Sequence, residues 1–216
     1  MRMTIHVTLY LAFMVMLSSC STIQLVNQWK NLKTDTLSVS KVLVMAMSPD
    51  LRARQLFESQ LKKEYESRGI TTVMSLDLFD PEFNAEAQSK EQLLIIEKIL
   101  IANLFDAVLF TKLVGVENVK TFTTPFSNKV LLDMTLKDDY YRYQSIVHKP
   151  SYYENYKVYH VESSLYCICP TERRSLIWKA SIDITDPQSV ERTVKAYTAL
   201  LLRTLEGQQV LPVLPK

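Results

Sequence analysis

The amino-acid sequence predicts an α/β domain in two or three layers. A short parallel sheet of βαβαβ order is extended by an antiparallel hairpin and followed by a C-terminal helix. Lys41–Met47 is a continuous apolar run, which is typical of a strand buried on both faces. Leu51–Arg68 carries apolar residues at helical spacing, and Ser175–Ile184 alternates apolar and polar residues. These three patterns indicate one mixed domain.

The first helix follows the first strand after a short polar turn. Ser48 is expected to cap the helix Leu51–Arg68, because a serine hydroxyl can accept a hydrogen bond from the first helical turn. One face of this helix is charged. Glu58 lies one turn from both Arg54 and Lys62, so we expect an ion pair on a solvated helix face.

A second helix and two more strands complete the parallel part. Gly69 is expected to end the first helix in the left-handed conformation, and Ile70–Leu76 is the second strand. Ser89 and Gln92 form a predicted capping box for a helix rich in leucine and isoleucine. This helix is short and interrupted by charges, so we expect it to be buried in the domain and not to span a membrane. With Asp106–Val116 as the third strand, right-handed crossovers predict the strand order two-one-three.

The C-terminal part of the domain changes character. Glu117–Tyr156 is polar, lacks glycine and is rich in tyrosine, which predicts an insert. Lys157–Cys169 and Ser175–Ile184 both alternate, which predicts an antiparallel hairpin. The last predicted helix begins at Asp186 and ends at Gly207.

The chain divides into four predicted parts. Residues 1–19 are a signal peptide, 20–40 an N-terminal tether with an edge strand, 41–207 the α/β domain and 208–216 a C-terminal tail. Trp29 in the tether is expected to pack on the domain, and ligand contact is the alternative. About 197 of the 216 residues remain after the signal peptide, which is an ordinary size for one domain.

The composition limits the classes of partner and cofactor. The net charge is only +2 at pH 7, whereas a nucleic-acid partner requires a clustered basic face. Three glycines are too few for the glycine-rich loops that bind phosphate. Cys167 and Cys169 are separated by one residue, where a disulfide is awkward in an extended strand. We therefore expect two small buried side chains, with a redox or metal pair as the alternative.

The N-terminal segment indicates attachment to a membrane. Arg2 precedes an apolar run that ends in Leu17-Ser18-Ser19-Cys20, which resembles the lipobox of bacterial lipoproteins. In that family the cysteine thiol receives a diacylglycerol, the peptide is cut before the cysteine, and the new amino terminus is acylated. The resemblance implies acyl chains such as palmitate on Cys20 and a lasting anchor, because several chains bind far more strongly than one. A signal peptide with an incidental cysteine is the alternative.

The residues after Cys20 bear on the location in the cell. Ser21-Thr22-Ile23-Gln24 follow, and none of them is acidic. In well-studied lipoproteins an aspartate at this place accompanies retention in the inner membrane, and in some phyla an acidic run accompanies display on the cell surface. The resemblance therefore implies the periplasmic face of the outer membrane.

Several segments of the mature chain carry a second resemblance. They are Asn27-Gln28-Trp29-Lys30, Lys41-Val42-Leu43-Val44, Arg54-Gln55-Leu56-Phe57-Glu58, Arg68-Gly69-Ile70, Phe105-Asp106-Ala107-Val108-Leu109, Tyr156-Lys157-Val158-Tyr159-His160 and Ser175-Leu176-Ile177-Trp178-Lys179-Ala180. With the lipobox and the tyrosine-rich insert, these segments resemble a family of uncharacterised lipoproteins of Bacteroidota. The architecture is similar to the amino-terminal domain of the translocation protein TolB and to lipoprotein activators of peptidoglycan synthases. By analogy of fold, the resemblance implies an adaptor.

The insert supplies the candidate partner-binding residues. They are Tyr140, Tyr141, Tyr143, Tyr152 and Tyr153. Tyrosine presents a flat apolar ring and a hydroxyl at low entropic cost, which suits recognition of proteins or sugars. The alternative is that these rings cover a sheet edge or fill a minor core.

Metal and acid–base chemistry have weaker support in the sequence. Asp133, Asp138, Asp139 and His148 could supply an oxygen-rich metal site, but a solvated charged loop is the preferred interpretation. His160 is expected to be solvated or hydrogen-bonded on the polar face of a strand. We therefore predict no catalytic residue, no metal and no cofactor.

The sequence thus predicts a cell-envelope lipoprotein that is held by Cys20 and acts as a non-catalytic adaptor or assembly subunit for an envelope protein partner. A periplasmic carbohydrate-binding module that stacks sugars on tyrosines is the first alternative. A metal-dependent envelope enzyme that uses Asp138, Asp139 and His148 is the second.

Overall fold

The fold is an open six-stranded sheet with helices on both faces. A computed structural model describes residues 22–32, 39–79, 89–122, 153–168 and 176–211. The elements in chain order are β1 (Ile23–Lys30), β2 (Lys41–Met47), α1 (Leu51–Glu66), β3 (Thr71–Met74), α2 (Ser75–Leu78), α3 (Lys90–Ala102), β4 (Ala107–Phe122), β5 (Tyr153–Cys167), β6 (Leu176–Thr185) and α4 (Val190–Gly207). The predicted α/β class is confirmed.

The strand order is β1-β6-β5-β4-β2-β3. β2 lies between β3 and β4 and is parallel to both, so the predicted order two-one-three is confirmed. β5 is antiparallel to β4 and to β6, which extends the sheet as the alternating patterns predicted. β1 forms the edge beside β6, with Ile23 opposite Ile184 and Lys30 opposite Trp178.

Two clusters of buried side chains hold the layers together. Val42 and Val44 of β2 face the larger cluster, to which α1 and α4 contribute Leu61 and Leu201. Leu43 points to the other face and belongs to a smaller cluster under α3. β2 is therefore buried on both faces, as its uninterrupted apolar run predicted.

Most of the predicted helix caps are present, but the predicted N-cap of α1 is wrong. Asp50, and not Ser48, caps α1, because its carboxylate accepts a hydrogen bond from the backbone N–H of Ala53. Aspartate and serine cap about equally well, so position decides which one is used. Ser89 and Gln92 form the predicted capping box of α3. Gly69 has φ +79°, the left-handed conformation expected after α1.

The predicted insert is shorter than the sequence suggested. β4 continues to Phe122 and β5 begins at Tyr153, so both ends of the segment 117–156 are paired strands. Val119 opposite Tyr156 belongs to this extension. The residues of this extension are mostly polar, because few of them face the core. They therefore lack the alternation of apolar and polar residues that would have identified a strand. Residues 123–152 lie outside the described part of the chain.

The burial predicted for α3 is wrong. Leu100 is its buried residue, whereas Leu93 is 51%, Leu94 54% and Ile95 57% exposed. The helix is apolar around most of its circumference, but the sheet covers a single stripe that contains Ile96 and Leu100. No helix among the described residues is long and apolar enough to cross a bilayer.

Two smaller predictions also need correction. The second strand is Thr71–Met74, and the residues after it turn into the short helix α2. Cys167 is buried and disulfide-bonded, so it is not a free buried thiol. The other two cysteines, Cys20 and Cys169, lie outside the described residues. The distance argument against a disulfide between Cys167 and Cys169 assumed that both lie in one extended strand. Because β5 ends at Cys167, that assumption does not hold.

Candidate functional site

The site with the clearest geometry is a groove of about 440 Å³ at the carboxyl end of β2, beside Thr111–Leu113 of β4. In open α/β sheets, ligands bind beyond the carboxyl ends of the strands, where neighbouring crossovers leave in opposite directions. β2 meets this condition, because α1 packs on one face and α3 on the other. The start of α4 forms the outer wall of the groove through Val190 and Val194. Its volume lies in the range of about 300–1,000 Å³ that is usual for small-molecule pockets.

The walls of the groove are mainly apolar. α1 contributes Ala53 and Phe57, β5 contributes Tyr159 and Val161, and β6 contributes Ile184. The ring of Phe57 packs edge-on against Tyr197 of α4, with 5.8 Å between the ring centroids. This contact joins α1 to α4 at the base of the groove and helps to fix its width.

A chain of hydroxyl groups lies at the groove floor. Thr111 of β4 and Ser163 of β5 are 2.6 Å apart, and Ser163 is 2.9 Å from the hydroxyl of Tyr197. Burial raises the pKa of Tyr197, so this phenol stays protonated. Each of the three hydroxyls therefore has at least one hydrogen-bond partner within the protein.

A fully buried carboxylate lies beneath the groove, where a solvated face was predicted. Glu58 is 0% exposed. Its Oε1 accepts hydrogen bonds from the Ala46 backbone N–H (3.0 Å), Arg54 Nε (3.0 Å) and the Ser75 hydroxyl (2.6 Å). Its Oε2 accepts from the Leu76 backbone N–H at 3.2 Å. Four donors occupy this carboxylate, so we interpret it as a structural clamp and not as a general base.

The clamp joins three elements of the fold. Arg54 also donates to the Ser75 hydroxyl at 2.8 Å, so β2, α1 and the start of α2 share one buried network. The predicted pairing of Glu58 with Arg54 is confirmed, whereas the predicted solvation is wrong. Glu58 was missed because a helical carboxylate is rarely buried unless backbone donors from other elements meet it.

A second polar cluster lies on the sheet between β4, β5 and β6. His160 Nδ1 is 2.7 Å from Asp183 Oδ1, and His160 Nε2 is 3.7 Å from Glu117 Oε2. The hydrogen bond to Asp183 raises the pKa of His160, as do the charges of both carboxylates, while partial burial opposes the shift. The prediction that His160 is hydrogen-bonded on a polar face is confirmed.

Glu162 lies two residues after His160 in β5 and is the centre of a group of ion pairs. Its carboxylate pairs with Lys112 at 3.0 Å and also with Lys179. Partial burial opposes ionisation, but the two lysines outweigh it and hold the pKa of Glu162 below its ordinary value. Lys112 also lines the groove rim, where it shares the single carboxylate of Glu162 with Lys179.

Stability should depend on pH through His160. Since its folded-state pKa lies above the ordinary 6.5, the pairing stabilises the fold fully below about pH 6.5 and is lost as the pH rises through the folded-state pKa. We expect NMR titration of the imidazole to give a pKa above 6.5, and Asp183→Asn to lower it. Glu117→Gln, which removes the more distant carboxylate, should lower it less. An imidazole that titrates identically with and without Asp183 contradicts this assignment.

The remaining predicted site residues lie outside the described residues. These are Cys20, Tyr140, Tyr141, Tyr143 and Tyr152, together with the candidate metal ligands Asp133, Asp138, Asp139 and His148. Tyr153 is the first residue of β5, and its side chain lies outside the described part of the structure. Within the described ranges, no group of three or more His, Cys, Asp or Glu side chains is arranged to hold a metal ion.

Comparison with known proteins yields similar structures but no family. No protein-family description matches the chain, and no curated protein matches it. One similar solved structure is the PelC dodecamer from Paraburkholderia phytofirmans, with 10% identity, a TM-score of 0.42 and coverage of 87% of this chain and 97% of that one. Another is lipoprotein GNA1162 from Neisseria meningitidis, with 12% identity, a TM-score of 0.40 and coverage of 78% and 99%.

These similarities carry no argument about activity or assembly, because both the identities and the TM-scores are low. The resemblance to the Bacteroidota lipoproteins and to the TolB amino-terminal domain stays a prediction.

Proposed function

We propose that this chain is a lipid-anchored cell-envelope protein that acts as a non-catalytic adaptor or assembly subunit on the periplasmic face of the outer membrane. The observation that carries the proposal is the exposed apolar face of α3. The lipobox ending at Cys20 supplies the anchor, and the sheet presents the helix to a protein partner in the envelope.

The exposed face of α3 is suited to protein recognition. Leu93, Leu94, Ile95 and Ile99 are all exposed although each is a large aliphatic residue. Covering one such side chain contributes about 1.5–3 kcal/mol, so a partner that covers several of them gains substantial affinity. Contiguous exposed apolar residues on a folded domain mark interaction sites.

The anchor and the domain are close along the chain. One residue separates Cys20 from Thr22, whose carbonyl accepts a hydrogen bond from the Thr185 N–H at 2.8 Å. A lipid on Cys20 would therefore hold the sheet beside the membrane without a long flexible linker. This arrangement supports an adaptor that meets its partner at the membrane surface.

The proposal is tested by site-specific photo-cross-linking in intact cells. A photoreactive amino acid is placed at Ile95 on α3, and for comparison at Glu66, an exposed polar position of α1. We expect one discrete, saturable cross-linked protein from Ile95, none from Glu66, and loss of the product when Cys20→Ala removes the anchor. Equal cross-linking from both positions, or none from Ile95, would exclude α3 as the adaptor surface.

A further inference from the structure

The groove is built for an apolar occupant. Two of its polar lining groups have partners within the chain: Lys112 pairs with Glu162, and the Tyr197 hydroxyl is hydrogen-bonded to Ser163. The remaining walls are aliphatic and aromatic, among them Phe57, Ile184 and Val190. An ionic ligand would lose part of its hydration against these apolar walls. An alkyl chain would instead gain about 0.8 kcal/mol for each CH₂ group that leaves water.

The N-terminal end of β1 lies beside this groove. Ile23 is paired with Ile184, and Ile184 is one of the groove-lining residues. Adjacent strands are about 4.8 Å apart, so the start of β1 lies one strand away from the groove wall. The hydrogen bond from the Thr185 N–H to the Thr22 carbonyl fixes this position.

Chain length then limits where Cys20 can lie. It is two positions before Thr22, and two residues span at most about 7 Å even when fully extended. Covalent geometry alone therefore keeps a residue two positions before Thr22 within about 7 Å of it, at the groove-side end of β6. An acyl chain attached to Cys20 would be within reach of the groove.

The groove rim on this side is held by the turn between β6 and α4. The N–H of Asp186 donates to the Lys157 carbonyl at 2.8 Å, and the Gln188 amide donates to the Asp186 carboxylate at 2.9 Å. Pro187 and Gln188 both line the groove. The rim nearest the anchor is thus fixed by hydrogen bonds that do not depend on an occupant.

We propose that the groove receives one acyl chain of the lipid on the chain's own Cys20 whenever the protein is outside a bilayer. The inference rests on the lipid anchor of the proposed function. Outside a bilayer the groove removes part of one chain from water, whereas a bilayer buries all the chains completely. The groove is therefore occupied in the aqueous state and vacated on insertion.

The test uses full-length lipidated protein that carries a diazirine-labelled fatty acid incorporated in growing cells. The protein is illuminated both as a detergent-free monomer and after insertion into phosphatidylethanolamine–phosphatidylglycerol vesicles. We expect adducts on groove residues such as Tyr159 and Val190 in the aqueous monomer, and a several-fold lower yield in vesicles. Adducts confined to α3, or equal yields in the two states, overturn the inference.

Two variants separate the groove from the rest of the surface. Val190→Trp narrows the groove and should lower the aqueous adduct yield several-fold, whereas Ile95→Trp on α3 should leave it unchanged. Thr193→Trp, which also changes a lining residue, replaces Val190→Trp if circular dichroism shows that variant to be unfolded. An undiminished yield in a folded groove variant contradicts the proposal.

Two controls distinguish a failure of this inference from a failure of the proposed function. Mixing isotopically light and heavy protein before illumination distinguishes a chain's own lipid from that of a second copy, and adducts between copies overturn the proposal. The intact mass of the N-terminal peptide reports whether Cys20 is lipidated. An unlipidated Cys20 removes the anchor and with it both proposals, whereas a lipidated Cys20 with an unlabelled groove refutes this inference alone.

Discussion

Glu58→Ala is expected to lower the free energy of unfolding by about 3–5 kcal/mol, which is the cost of leaving one partner of a buried ion pair uncompensated. Arg54 would remain buried beside Ser75 without its carboxylate, and the backbone N–H groups of Ala46 and Leu76 would lose their acceptor. Chemical denaturation followed by circular dichroism measures the change.

The matched control for Glu58 lies in the same helix. Glu66 pairs with Lys62 at the same spacing of four residues, at 3.4 Å, but its side chain is 47% exposed. Glu66→Ala should cost less than about 1 kcal/mol, because exposed ion pairs contribute little. If both variants lose equal stability, the buried clamp is not the source of the effect.

A double variant tests the backbone part of the clamp. Arg54→Met with Glu58→Leu removes both charges together, which elsewhere is often neutral for stability. Here it should recover only part of the loss, because the N–H groups of Ala46 and Leu76 still lack an acceptor. Full recovery would assign the cost of Glu58→Ala to the ion pair alone.

Trp178→Ala is expected to lower the free energy of unfolding by about 3–5 kcal/mol, the usual cost of truncating a large buried aromatic residue. Trp178 is fully buried in β6 and belongs to the main cluster with Leu165 and Leu201. It is paired with Lys30 of β1, so the cavity would also weaken attachment of the edge strand. Thermal and urea unfolding measure the loss.

The second tryptophan provides the comparison. Trp29 lies in β1 and is 47% exposed, so it packs on the domain only in part. Trp29→Ala should cost about 1 kcal/mol or less, as is usual for surface substitutions. A larger loss from Trp29 than from Trp178 would mean that the edge strand, and not the cluster, limits stability.

Local patterns predicted the parallel half of the sheet well. β2 matches its predicted bounds, and the capping box at Ser89 and Gln92 is present as expected. Both features depend on residues within a few positions of one another, so the sequence contains all the relevant information. The alternation in β6 likewise predicted burial of Trp178 and Ile182.

Features that depend on distant contacts were predicted poorly. The apolar composition of α3 is the same whether the sheet or another molecule covers it, so the sequence could not show that one face stays exposed. The groove requires α1 and α4 to meet, and no local pattern reports that contact. Glu58 is an intermediate case, because Arg54, Glu58, Leu61 and Tyr65 follow the spacing of a buried helical face. That spacing could have indicated burial.

The pairing of β1 with β6 has a consequence for how the protein matures. Ile23 and Ile184 are neighbours in the sheet although roughly 160 residues separate them along the chain, and such non-local contacts form slowly because a long loop must close first. The strand β1 therefore has no partner in the sheet until β6, near the end of the chain, has been synthesised.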